Sequence, residues 1–512
     1  MAGPHSLNIR KINLAPHTDS VSSHFMNSEA PGKVYFRFTT ADWAWNILFM
    51  LSLALVGLEF KPGNLLVALL LLREFKVCRE AFIIKLMFVF GGYAFSFPNT
   101  QWGVNLNYIL FIVAIGGMFL LRKDKVLKRS IIAYVCYAVA VMLIALPFGL
   151  ESFSVQLRQM LSFLTFCFFI IPLLCFNGRA FDIHEFWRQL MSLMLVVCVF
   201  YIIDAFVVRG WLLVPCAWFS FDNVSTWHSI VMYGPGGPIP RKYPPGIFPL
   251  ALLVYPLARY YRLRWWQWGI LLVALGSTQT STVIFALVIG YIICQGTVKK
   301  YLLYGVGAIS LFTLLYYIDD SMGYTTTDQS TMRIASSVNQ ILALDEAEDD
   351  EDFADAGSGR IAQALPSLEM QHEQHRELQG FGFVDSGTTN PRALVFCEFV
   401  RDPEMQVIAV TSVEITYLRV LLTLGWIGLI IWLLYYIGIY GIIHKLRYAK
   451  YYINVVIIML IYGVSGWSSL FDPPGLLITA MSYAVVLLAN KPSSLKEYPD
   501  EYPREEKKDF II

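Results

Sequence analysis

The sequence predicts an all-α protein: a polytopic transmembrane helical bundle of about 12–14 spans with a large, mainly helical extracytoplasmic loop. Three observations carry this. The chain is 56% hydrophobic and 15% charged, with a mean hydropathy of +0.54, where a soluble protein carries about a quarter charged residues. Apolar runs recur along most of its 512 residues, many of them near the roughly 20 residues that cross a bilayer as a helix. One long polar interval, Asp319 to Ser412, breaks that pattern between two apolar runs. So long a wet insertion in so apolar a chain points to work done by the insertion.

The elements follow in order. Residues 1–40 are polar and irregular, without the apolar core of a signal peptide, and read as a flexible tail. Spans are expected at Asp42–Glu59, Asn64–Leu72, Phe82–Phe97, Val104–Leu121, Ser130–Gly149, Met160–Phe176 and Leu190–Val208. A wet loop at residues 209–245 follows. Gly246–Tyr261, Leu263–Ser277, Ser281–Gln295 and Tyr301–Ile318 continue the membrane region, which covers residues 41–318. The large loop fills residues 319–412. Val413–Ile437, Ile453–Leu470 and Gly475–Ala489 form the closing membrane region at 413–490, before a tail at 491–512. Asn64–Leu72 and Leu263–Ser277 are short for a full crossing. No fixed-period repeat is present.

Charge sets the sidedness. With a cytoplasmic N-terminus the inner loops carry eighteen cations, from Arg73, Lys76 and Arg79 through Arg122–Arg129 to Lys445, Arg447 and Lys450. The short outer loops carry five: Lys61, Arg158, Arg209, Arg241 and Lys242. The positive-inside rule then places both termini in the cytoplasm and both wet loops on the far side. That side holds no ATP, and the chain has no GxxxxGK[ST] signature. Chemistry there needs an activated substrate delivered to it. The net charge of +1 gives no bulk attraction for nucleic acid.

Several constellations bear chemistry. Arg241 and Lys242 lie in a stretch of glycines and prolines, Gly234 to Gly246, just before a span. Glycine lets backbone approach a ligand, and an arginine fixed there offers a planar fork to phosphate oxygens. The alternative is a cation snorkelling at the interface. Ser277-Thr-Gln-Thr-Ser-Thr282 is a polar break between apolar stretches. Its hydroxyls and the Gln279 amide would meet headgroups or sugar, or else cap a tight turn. In the large loop Arg360 opens a segment with Ile361, Leu365 and Leu368 at helical spacing, and Arg333 and Arg376 are further cations.

His372 and His375 are three apart but lack a fixed third ligand, so an exposed polar face is the expectation and no metal site is assigned. The acidic run Asp345 to Asp355 lacks the order of a calcium loop and reads as solvated linker. Cys216 and Cys397 are the two cysteines in the wet loops, and a disulfide between them stays open. Glu414 sits at the membrane entry of the span after the loop, with Tyr417 close behind. A carboxylate at a low-dielectric rim has its pKa raised toward a general base's range. An ion pair with Arg419 or a loop arginine is the alternative.

The order of these features resembles the bacterial O-antigen ligase and polymerase family of membrane glycosyltransferases. Four motifs carry the resemblance: Arg241 to Phe248, the Thr-Gln-Thr-Ser break, Gly359-Arg360 through Gly380-Phe-Gly382, and the span ending Gly425-Trp-Ile-Gly428. The resemblance implies an undecaprenyl-diphosphate-linked oligosaccharide as donor, no nucleotide sugar, no metal and no cofactor. It implies that Arg241 and Arg360 grip the diphosphate and that Glu414 takes the proton from the attacking hydroxyl. Lys242, Gln279, Arg333, Arg376 and Tyr417 would bind substrate. Family members often have a histidine where Glu414 stands, and many ligases have an arginine where Ser281 stands. Both differences lean toward a polymerase of capsule or O-antigen repeats. A chain-length regulator and a flippase of the same pathway are the implied partner proteins. The implied location is the bacterial inner membrane. A ligase, and a flippase or transporter of the same lipid, are the rival functions.

Overall fold

The computed structural model describes residues 33–57, 62–91, 106–121, 124–203, 244–278, 281–295, 361–385, 387–399, 402–410, 415–465 and 473–491, with isolated positions such as Val413 and Ser494. Among these the protein is mainly helical. In chain order the helices are α1 (Thr40–Gly57), α2 (Pro62–Val77), α3 (Arg79–Gly91), α4 (Leu106–Leu121), α5 (Lys125–Phe148), α6 (Phe153–Phe163), α7 (Ile170–Cys175) and α8 (Ile183–Ile203). They continue as α9 (Ala251–Arg259), α10 (Trp265–Ser277), α11 (Ser281–Gln295), α12 (Ile361–Glu373), α13 (Thr416–Ile443), α14 (Ala449–Ser465) and α15 (Pro473–Ala489). Helices stand at the expected spans, apart from Tyr301–Ile318, which lies almost wholly outside the described residues.

Among the described residues three helices are long and apolar enough to cross a membrane: α5, α8 and α13, with 24, 21 and 28 residues. The bent pair of α6 and the segment Thr165–Cys175 makes a fourth. These are features of a multi-pass membrane protein. The other apolar helices are shorter, at 10–17 residues. The expected span Met160–Phe176 is thus two pieces at 44°. Side-chain hydroxyls explain the break: Thr165 Oγ1 donates to Ser162 O and Tyr134 Oη to Leu164 O. They take carbonyls that the helical ladder would use, and a 3-10 turn over Thr165–Phe169 follows.

α15 is buried along nearly its whole length, from Pro474 to Ala489, and α8 is largely buried. A helix apolar all round belongs inside a bundle. α5 and α4 stand at the periphery, with Ile112, Phe119, Leu120 and Leu143 exposed as lipid-facing residues would be. α5 begins at Asp124, whose carboxylate accepts from Val126 N and Leu127 N, and ends at Pro147 and Gly149.

The ends of the bundle are distinct. At one end Asp182 N donates to Glu80, Arg188 bridges Asp42 and Glu185, and His184 meets Tyr261. Lys491 reaches Leu173 O and Phe176 O, and Asn490 bonds Arg447. Each of these contacts joins segments assigned to the inner side by charge. Residues 33–39 belong to this end too, which corrects the extent of the free tail. β1 (Val34–Tyr35) pairs in parallel with β2 (Tyr261–Arg262), Phe36 stacks on Tyr261 at 4.0 Å, and Lys33 Nζ donates to Leu257 O.

Lys85 falls inside the expected span Phe82–Phe97. It is buried midway along α3 and pairs at 2.6 Å with Glu74, because α2 continues to Val77 and carries Glu74 inside. Among the described residues of the large loop a pair of strands stands beside the expected helix. The helix is α12, and the strands are an antiparallel hairpin of β3 (Leu394–Phe399) and β4 (Asp402–Ala409), with Val395 opposite Ile408. β-branched and aromatic residues in Leu394–Phe399 and Met405–Val410 favour strand, and α12 covers β3.

Candidate functional site

At the other end of the bundle the large loop is built into the membrane helices through a break in α13. Gly425 has φ 66° and ψ −174°, so the ladder stops there. Only glycine enters that region without a Cβ penalty. The freed backbone groups are taken up by the loop. Leu422 O accepts from Phe381 N at 2.7 Å and Thr423 O from Gly382 N at 2.9 Å. Trp426 N donates to Glu377 O at 2.8 Å and Ile427 N to Leu378 O at 3.3 Å. Gln371 Nε2 covers the next carbonyl, Leu421 O, at 3.1 Å. Buried backbone groups need partners, and at membrane depth no lipid supplies them. Gly380 (φ 69°) and Gly382 (φ 76°) shape the loop strand to fit. Phe381 between them is fully buried.

The same loop is tied to the turn between α5 and α6. Leu150 N donates to Phe381 O at 3.0 Å and Asn390 Nδ2 to Leu150 O at 3.0 Å. Thr388 bonds Glu151, and Asp385 receives Arg158 and Gln159. Gln156 lies between two glycines: a Cβ on Gly149 would stand 1.9 Å from its Oε1, and one on Gly382 2.9 Å. Gln156 Oε1 is itself buried without a hydrogen-bond partner, while its Nε2 donates to Glu151 O.

Of the residues expected to bind or react, Arg376 and Tyr417 are described. Arg376 Nη1 donates to Phe148 O and Gly380 O, and its guanidinium lies 5.9 Å from the Phe381 ring centroid. Partial burial, and then the like charge of Arg392, pull its pKa below the ordinary arginine value. The Arg376 side chain therefore stitches the loop to the end of α5. Tyr417 Oη donates to Leu460 O at 2.7 Å, and its ring meets Trp432 edge-on. Arg241, Lys242, Gln279, Arg333, Arg360 and Glu414 lie outside the described residues, as do Cys216 and the Cys397 side chain.

The described chain next to these positions gathers at this end. Gly246 N donates to Tyr201 Oη at 2.7 Å, and Phe248 meets Tyr462 at 4.5 Å between ring centroids. Tyr417, three residues after Glu414, bonds the same last turns of α14. α12, which begins directly after Arg360, packs on β3 and α13. Segments flanking three of the expected residues thus share the bundle end that carries the loop.

Two details of α12 were not foreseen. Its buried face carries Ser367 and Gln371, while Leu368 is exposed. The Gln371 amide on that face reaches Leu421 O, and the side chains of Ile361 and Leu365 lie outside the described residues. His372 and His375 do not share a helix face, because His375 lies past the helix end with φ 54°. His372 Nδ1 meets Glu377 Oε1 at 2.6 Å. The Glu377 backbone amide and then the His372 ring hold that carboxyl below the usual glutamate range. Among the described residues no three metal-ligating side chains cluster.

The two glycine motifs that join here were visible in the sequence, but their contact was not. Comparison with family models, with curated proteins and with solved structures returns no match for this chain.

Proposed function

We propose that this protein is a membrane-embedded glycosyltransferase that polymerises undecaprenyl-diphosphate-linked repeat units at the extracytoplasmic face. The observation that carries the proposal is the loop's seat. Residues 377–382 replace part of a membrane helix's own hydrogen bonding, so the wet segment is a fixed wall of one bundle end. A loop held by backbone in this way suits the positioning of a polar, lipid-attached substrate at the interface.

The reaction follows from the residues the sequence singles out. An acceptor hydroxyl attacks the sugar carbon that bears the diphosphate, and a new glycosidic bond forms as the carbon–oxygen bond to diphosphate breaks. Glu414 takes the hydroxyl proton, and Arg241 and Arg360 hold the departing anion. Lys242, Gln279 and Arg333 would meet sugar or phosphate oxygens. Arg376 and Tyr417 act differently in this account, by fixing the loop and the first half of α13. About twelve to fourteen crossings, with both termini cytoplasmic, complete the proposed topology. A ligase differs in the acceptor alone.

A transport reading draws on one observation, the Glu74–Lys85 ion pair buried between α2 and α3. Ionisable groups inside a membrane often mark a pathway. Purified protein given lipid-linked repeat units in detergent, without nucleotide or ion gradient, separates the two. Lengthened glycan supports the enzyme. Glycan of unchanged length, with lipid moved between leaflets in vesicles, supports transport and overturns the polymerase.

A further inference from the structure

The hydrogen bonds between α13 and the loop are exchanged pairs. In an unbroken helix Trp426 N would donate to Leu422 O, and Ile427 N to Thr423 O. In the loop, Gly380 N donates to Arg376 O at 2.8 Å, which is one helical step. The next two steps would be Phe381 N to Glu377 O and Gly382 N to Leu378 O. None of these four helical bonds is made. Instead the two donors and two acceptors of each segment pair with those of the other. Leu421 O, on the last turn before the break, accepts from Gln371 Nε2.

Returning all partners to their own segments would leave the number of these backbone bonds unchanged. What favours the exchanged state is side-chain burial, chiefly Phe381, together with glycine at Gly380, Gly382 and Gly425. The Thr423 hydroxyl works against it, being buried there without a partner.

We propose that Glu377–Gly382 and the Gly425 break form a reversible latch. In the closed state the loop is locked to α13 and roofs the Gly149–Gln156 surface. In the open state α13 runs unbroken through Gly425, the loop closes its own helical turn, and that surface is uncovered. The backbone pairs between Glu377–Gly382 and α13 are traded rather than lost, while the Leu150 N–Phe381 O and Arg376–Phe148 O bonds are given up on opening and hold the closed state as the major one.

The test is a distance measurement between spin labels at Leu378→Cys and Lys445→Cys, both exposed positions, in a chain whose eight native cysteines are replaced by alanine. The full chain in detergent is compared with two variants. Gly425→Ala places a Cβ 2.2 Å from Leu378 O at a positive φ, and so blocks closure. Phe381→Ala removes the buried anchor without touching the backbone. Both are expected to populate the same second distance, raised at least about tenfold over the parent. One unchanged distance in Phe381→Ala, or different new distances in the two variants, would overturn the latch. Should Gly425→Ala fail to fold, Phe381→Ala decides alone.

Discussion

Gly380 and Gly425 meet backbone to backbone: a Cβ on Gly380 would lie 2.6 Å from Gly425 N, and a Cβ on Gly425 would lie 2.2 Å from Leu378 O. Both residues have positive φ. Gly380→Ala and Gly425→Ala are each expected to destabilise the protein by about 1–3 kcal/mol through strain at a left-handed position. Since both act on one contact, the double variant should cost much less than their sum. Thermal unfolding in detergent measures this, and full additivity would contradict a shared clasp.

The Glu74–Lys85 pair yields a second prediction. Both side chains are buried, at 5% and 2% exposure. Glu74→Ala leaves the Lys85 charge stranded and should cost about 3–5 kcal/mol. Glu74→Leu with Lys85→Met removes both charges and should restore most of that loss. A transition midpoint unchanged in Glu74→Ala would show that the pair contributes nothing.

Arg376 ties the loop to Phe148 O and Gly380 O. Arg376→Ala should loosen residues 374–392 and speed their cleavage by added protease severalfold, while insertion into the membrane is unaffected. Arg376→Lys can make one such bond and should fall between. Cleavage at the parent rate in Arg376→Ala would remove the stitching role.

Exposed residues at the two ends test the sidedness. Glu373 is exposed beside the clasp, and Lys445 is exposed at the opposite end. With the eight native cysteines replaced, an impermeant maleimide should label Glu373→Cys in intact spheroplasts and Lys445→Cys only after permeabilisation. Labelling of both from one side would contradict the two-ended arrangement.

The helices were legible because apolar runs of membrane length leave few alternatives. Segments that charge placement put on one side also touch, as Lys491 with Phe176 and Arg158 with Asp385 show. Pairing was not legible. Gly380-Phe-Gly382 and Gly425-Trp-Ile-Gly428 each stood out, but backbone hydrogen bonds between distant segments leave no periodicity to read. Glu74 was missed as an interior residue because a hydropathy run stops at the first charge, whereas the helix continues when a partner such as Lys85 is present. The β3–β4 hairpin hid inside an interval read as polar and helical. Gln371 was not singled out because an amide that caps a distant carbonyl, Leu421 O, leaves no apolar signal.

The central claim is that the loop-bearing end of this bundle transfers glycan from a lipid diphosphate. Its most direct measurement is glycan length after incubation of purified protein with lipid-linked repeat units, for the parent, Arg360→Ala and Glu414→Gln. The account predicts lengthened chains for the parent, and starting length for both variants in protein that is monodisperse and membrane-inserted. Parent-length chains from Arg360→Ala and Glu414→Gln would contradict it.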